Sequence, residues 1–113
     1  MTAELDPERY VYVTVPAPRN DLEALAYVRE AEGHSYVVPE PVAGRLGLES
    51  MFACRRITLG ATELDEVGII ARIASVLADA GIACNPIAGY HHDHLLVPAD
   101  RADAALALLD ASS

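Results

Sequence analysis

The stretch that decides the fold is "LDEVGIIARIASVLADAGI", Leu64 to Ile82. Ile70, Ile73, Ala74 and Leu77 fall at i, i+3, i+4 and i+7, the spacing that puts apolar side chains along one face of an α-helix. Glu63, Asp65 and Glu66 stand near its start, where the partial positive charge of a helix N-terminus favours acids. Asp65 is the expected cap and Gly81 the expected stop. A strand precedes this helix, "ACRRITLG" from Ala53 to Gly60, and two follow it, "IACNPIAGY" and "HLLVPA", around the turn "HHD" of His91 to Asp93. Pro86 cannot donate to a ladder, so its strand belongs at an edge or carries a bulge. "DRADAALALLDAS" reads as a last helix, with Asp100 as cap and Ala102, Ala105, Leu106 and Leu109 as its apolar stripe.

The first half is harder to read. "YVYVTVP", Tyr10 to Pro16, is an alternating, β-branched strand closed by proline, and Ala17 to Asp21 is a loop. "LEALAYVREAEG" has two readings. It is a helix capped by Asp21 and stopped by Gly33, or it becomes a strand near Ala26 and turns back at Glu32-Gly33 into "HSYVVP". Pro41 to Leu48 is a short helix with proline at its start. An internal repeat favours the strand. "VTVP" matches "ITLG", and "HSYVVPEPVAGRLGL" resembles "HLLVPADRADAALALL", which sets His34 in the place of His94. Two related β-(α)-β-β-α units follow, the first with its helix shrunk into Ala17 to Leu25.

Each unit is an incomplete βαββαβ ferredoxin-like module, whose strand order is 4-1-3-2. The strand at Ala53–Gly60 is expected to supply the fourth strand for residues 9–48, and Tyr10–Val15 the fourth strand for the C-terminal half. The expected fold is therefore α+β: ferredoxin-like modules in tandem on one continuous antiparallel sheet, with helices on one face. The other face is left partly apolar and open to a partner. The division falls into a truncated module at 9–50 and a fuller one at 51–113, joined by strand exchange into one compact unit.

Composition narrows the function classes. The chain has 113 residues, 52% of them hydrophobic and 22% charged, enough to bury a core in one domain or two small fused halves. No apolar run reaches about 18 residues, and the acidic start "MTAELDPERY" has no apolar signal region, so cytoplasm is the expected compartment and no membrane partner is expected. The net charge is −9, and all eight cationic residues are arginines. That surface repels phosphate backbones, so nucleic acid is not an expected partner. Cys54 and Cys84 lie in apolar stretches and read as buried free thiols rather than a disulfide framework.

The residues of the long helix and its entry resemble the ACT domain family. The family carries Asp-x-Pro-Gly after a first strand, then an apolar helix, then Gly-Ile. Here Asp65-Glu66-Val67-Gly68-Ile69 matches, with Val67 in the place of the usual proline. "GIACNPIAGYHHDHLLVP" looks like the hairpin of the CASTOR-like ACT proteins, and "REAEG", Arg29 to Gly33, looks like their N-terminal partner module. The resemblance covers Tyr10 to about Leu109. It implies a bacterial stand-alone tandem ACT protein that binds a small molecule, most often an amino acid, at a module interface near the loop after the first strand. It implies a homodimer, no cofactor, and no catalysis of its own. The other reading is a structural or protein-interaction module that has lost ligand binding.

The loop in question is Ala61 to Gly68. Gly68 allows close backbone approach, and the free amides of a helix start suit a carboxylate. Asp65 or Glu66 could hold an α-ammonium and Thr62 a hydrogen bond, with Val67 and Ile69 flanking. Asn85, at the start of the hairpin, is a candidate for the ligand's polar groups, and so is His94. Asn85 also has a plain reading, in which it satisfies backbone at the helix exit.

The cluster His91, His92, Asp93 and His94 reads first as the polar tip of a hairpin. Neighbours on a strand point to opposite faces, so His92 and His94 can share a face but His91 does not easily join them. A metal wants three or four convergent ligands, and no metal is expected here. No serine sits on a sharp strand-turn-helix elbow, Arg55 alternates away from Cys54, and Gly44 and Gly47 form no phosphate loop. Arg55 and Arg56 read as an edge or surface pair, with an anion site as the other reading. No catalytic residues are expected.

Overall fold

Val11, Val13 and Val15 occupy every second position of one strand, and all three side chains enter a core. A computed structural model of the chain describes residues 2–60 and 67–112. In chain order the elements are β1 (Ala3–Leu5), β2 (Tyr10–Val15), β3 (Ala26–Glu30), β4 (Gly33–Pro39), α1 (Glu40–Arg45), β5 (Met51–Leu59), α2 (Ile69–Asp79), β6 (Asn85–Ala88), β7 (Asp93–Pro98) and, after a single 3-10 turn at Ala99–Arg101, α3 (Ala102–Ser112). They fall into two units, Glu8–Ala53 and the combination of Met1–Pro7 with Cys54–Ser113.

In the Glu8–Ala53 unit the strands run β3-β4-β2, all antiparallel. The ambiguous segment is a strand. Its turn is Ala31-Glu32, one residue earlier than expected, because Glu30 pairs with Gly33. Gly33 is needed there for space: a Cβ would lie 2.9 Å from Thr14 Oγ1 and 3.2 Å from the Val15 carbonyl oxygen. The short helix expected between Ala17 and Leu25 does not form. Glu23 has φ 51, a left-handed conformation that no residue inside an α-helix adopts. A side chain replaces the missing helical bonds. The Tyr36 hydroxyl accepts from the Arg19 N–H at 3.0 Å and donates to the Arg19 carbonyl at 3.3 Å. Leu22, 1% exposed, plugs the core beside Tyr36, Val38 and Ala43 of β4 and α1.

The second unit has the strand order β1-β5-β7-β6, again antiparallel. This is the ferredoxin-like order, with β1 in fourth place along Ile57–Leu59. A strand of three residues, AEL, is too short and too polar to show a period in the sequence. Pro86 lies in β6, at the edge, where its missing N–H costs no ladder bond. Ile57 and Leu59 of β5 and Leu95 and Val97 of β7 point to one face. There they meet Ile73 and Leu77 of α2, and Ala102, Ala105 and Leu109 of α3. Both helices cover that one face.

The end of α2 follows a glycine-terminated pattern. Gly81 has φ 71, its N–H reaches the Ala78 carbonyl, and the Ile82 N–H reaches the Leu77 carbonyl. Ile82 and Leu77 then meet in the core, the apolar contact that accompanies this motif. Ala74 is exposed, so the buried stripe of α2 is narrower than the sequence period suggested. Glu63, Asp65 and Glu66 lie outside the described residues. The cap position itself is held by Gly68.

The repeat is visible in the backbone. Pro39 before α1 has φ −56 and ψ 134, and Pro98 before the 3-10 turn has φ −52 and ψ 134. Asp100 therefore lies inside that turn rather than at its cap. The histidines of the repeat do not match. His34 is five residues before Pro39 and His94 four before Pro98, so alternation sends them to opposite faces. His34 pairs with the core-facing Val15, while His94 pairs with Thr58, which alternates with the core residues Ile57 and Leu59. No helix among the described residues is long and apolar enough to cross a membrane.

Urea unfolding tests this packing at two positions that the sequence treats alike. Leu77 is 0% exposed, so Leu77→Ala should cost about 2–5 kcal/mol. Ala74→Glu should change stability by no more than about 0.5 kcal/mol, as expected of a surface substitution. A large loss from Ala74→Glu would contradict the placement of α2.

Candidate functional site

Gly68 is the residue on which the start of α2 turns. Its φ of 90 is left-handed, a conformation that glycine adopts without strain. It has no side chain to accept from the first-turn amides, and no acid stands in that turn. The helix therefore begins with N–H groups directed outward, with Arg72 N–H closing the first bond to the Gly68 carbonyl at 3.1 Å. The space beside Gly68 faces one cation, because a Cβ built there would lie 3.4 Å from Arg72 Nη1. Arg72 was not among the residues expected from the sequence. Its signal is simple in retrospect: a residue four after the cap lies one turn above it on the same face. Val67, just outside, is 91% exposed. Ile69 opens the helix, partly buried. Thr62, Asp65 and Glu66 lie outside the described residues.

Asn85 and His94 are on the other side of the sheet from α2. Thr58, His94 and Ile87 form one cross-strand row on the face away from the helices, and Arg56, Leu96 and Asn85 form the next. His94 Nδ1 is 3.0 Å from Thr58 Oγ1, and His92 Nδ1 is 2.9 Å from the Leu59 carbonyl oxygen, which makes that nitrogen the donor. These two histidines thus stand where β5 leaves for residues 61–66, while exposed Asn85 is a row further back. The structure does not bring Asn85 into contact with Gly68. Burial, then the nearby Arg56 and His92, lowers the His94 pKa, so the fold favours its neutral imidazole.

The histidine cluster is a hairpin tip. The chain reverses over Tyr90-His91, with the Gly89 N–H bonded to the His92 carbonyl at 2.8 Å, slightly earlier than the expected turn at His91 to Asp93. The His92 and His94 ring centres are 6.3 Å apart, and His91 packs edge-on to Tyr90 at 4.9 Å. Among the described residues, no three His, Cys, Asp or Glu side chains gather as a metal site.

Arg55 and Arg56 are neither a free surface pair nor an open anion site. Arg56 Nη2 donates to Asp6 Oδ2 at 2.9 Å, Arg55 Nε donates to the Asp6 carbonyl at 3.0 Å, and the Asp6 N–H donates to the Arg56 carbonyl at 2.9 Å. Asp6, unremarkable in the sequence, ties the end of β1 to β5. Cys54 is buried and its thiol is pushed up to about 11 by burial; Cys84 is only half-buried, and burial raises it too. Neither is poised as a thiolate.

Family models of the ACT domain match the chain twice, over residues 1–55 and 49–111. The chain belongs to the ACT domain family. The two ACT matches share residues 49–55, the entry into β5. Among solved structures, a protein of unknown function and possible transport protein from Vibrio cholerae is 39% identical, with a TM-score of 0.88 over 96% of this chain and 87% of that one. A protein from Agrobacterium tumefaciens shares the fold at 19% identity and a TM-score of 0.74, covering 96% and 85% of the two chains. The regulatory subunit of aspartate kinase from Thermus flavus shares it at 13% identity and a TM-score of 0.66, covering 97% and 95%. No curated protein matches this ACT chain in sequence.

The geometry of the tip gives an expectation for metals. Both His92 Nδ1 and His94 Nδ1 are engaged within the fold. Stoichiometric zinc or nickel should leave the melting temperature nearly unchanged. Specific binding with free metal about a hundredfold over Kd would add roughly 2.7 kcal/mol. A clear upward shift that His92→Ala or His94→Ala abolishes would overturn the hairpin reading.

Proposed function

We propose that this ACT protein is a cytoplasmic regulatory module that binds a small carboxylate-bearing ligand, an amino acid, and has no catalytic activity of its own. One observation carries the reading. The left-handed Gly68 leaves the α2 amides uncapped by its own side chain, beside the guanidinium of Arg72. Outward amides and a planar cation form the donor set that a carboxylate requires. Thr62, Asp65 and Glu66 are proposed to hold the ammonium end. Val67, Gly68 and Ile69 form the backbone approach, and Asn85 and His94 contribute from the hairpin side. The division at 9–50 and 51–113 is proposed as the functional one.

Calorimetric titration with the twenty amino acids tests this. At least one should bind with Kd below about 1 mM, and both Gly68→Val and Arg72→Gln should weaken it more than tenfold, a loss above about 1.4 kcal/mol. Gly68→Val strains the backbone at φ 90, so Arg72→Gln is the cleaner arm. If no amino acid binds, or the best one binds all three chains equally, the site is wrongly assigned.

The ligand is proposed to act through a homodimer. ACT modules pair. A stable pair should bury about 1,200–2,000 Å² in total. Light scattering at high micromolar concentration should give twice the monomer mass, and a monomer mass there would count against the dimer.

A further inference from the structure

The Glu8–Ala53 unit carries its own concavity, on the sheet face away from its core. Val11, Val13 and Val15 point into that core, so Tyr12 and Thr14 point the other way. Ser35 lies opposite Thr14, and Val28 opposite Ser35, which puts Glu30 on the same face two residues further along β3. Together with Glu49 and Met51 at the entry to β5, these side chains line a groove of about 500 Å³.

The chemistry of the lining is one-sided. Glu30 and Glu49 supply two carboxylates, Thr14 and Ser35 supply hydroxyls, and among the described residues no arginine lines the groove. Ser35 Oγ donates to Glu30 Oε1, which orients that carboxylate. The walls are apolar. The Phe52 ring meets Tyr12 edge-to-face at 5.9 Å and steadies it. Met51, 71% exposed, is an unbranched side chain able to fold over an occupant. An amino acid placed here would set its carboxylate against two of the same charge with no cation to receive it.

We propose that this groove binds a small amine or guanidinium with an apolar body and no carboxylate, the chemical class of a decarboxylated amino acid. The ammonium sits between Glu30 and Glu49 with the hydroxyls as further acceptors, and the carbon chain or ring lies against Tyr12 and Met51. The site is separate from the one at Gly68. It lies in the other unit and selects by the opposite charge.

Paired probes test it: tyramine against tyrosine, cadaverine against lysine, and agmatine against arginine. The chain has two methionines, so the labelled Met51 methyl gives an assignable NMR signal inside the groove. At least one amine should move that signal saturably, with a Kd at least tenfold below that of its parent amino acid. The double variant Glu30→Gln/Glu49→Gln should lose that binding by tenfold or more at an unchanged melting temperature, since both side chains are exposed. The Gly68→Val chain should titrate as wild type. The proposal is overturned if no amine moves the Met51 methyl by about 10 mM. It is equally overturned if the parent amino acids move that signal as well, or if binding survives in the double variant. Loss of the amine titration in Gly68→Val would place the amine at the other site and overturn it too. Failure of every amino acid to bind at Gly68 would bear on that site alone.

Discussion

The alternation of β5 is the constraint on which the rest of the second unit depends. Ile57 and Leu59 must reach the core beneath α2 and α3, and the pleat then sends Arg56 and Thr58 to the opposite face. A slip of one residue would turn Ile57 and Leu59 out of the core and put Arg56 and Thr58 in their places. The same register sends Leu95 and Val97 inward and His94 outward. It also sets His92 and His94 beside the end of β5. What the histidines do is thus set by the isoleucine and leucine of the neighbouring strand.

A short polar segment completes that sheet. β1 has only three residues, and its backbone ladder alone would hold it weakly. Asp6 supplies the rest through an ion pair to Arg56 and two further bonds to the Arg55–Arg56 segment, and Ala3 and Leu5 pack on the core. The carboxylate and guanidinium are each mostly screened from solvent, at 18% and 27% exposure, so this pair interacts more strongly than the exposed Arg9–Glu40 and Arg45–Glu23 pairs.

The two units keep the same plan with different means. Each runs a strand through Val-Pro into a helix with nearly the same proline dihedrals. Where the second unit covers its sheet with α2, the first has only a loop, and it compensates with Leu22 and the Tyr36 hydroxyl. The groove at Glu30 and Glu49 lies on the other face of that sheet, away from Leu22 and α1. The site proposed at Gly68 and the proposed groove differ in charge, with a cation beside helix-start amides in one and two carboxylates in the other.

The sequence by itself determined the ACT family, the α+β class, and the strands and helices whose periods are long enough to read. A 3.6 period over Ile70 to Leu77 and a period of two over Tyr10 to Val15 are local properties of the chain, and the repeat carried the ambiguous "AYVREA" to strand. Tertiary structure decided everything that depends on which side chains meet. It settled β1, because three residues show no period. It replaced the expected helix at Ala17 to Leu25 with a loop held by Tyr36, a contact 17 residues away in sequence. It paired Arg56 with Asp6 across 50 positions, and it parted His34 from His94 because one extra residue reverses a strand face. Gly68 was legible as a close-approach glycine, whereas Arg72 became visible only when the helix wound it back over that glycine, since a four-residue spacing means proximity only after the helix exists.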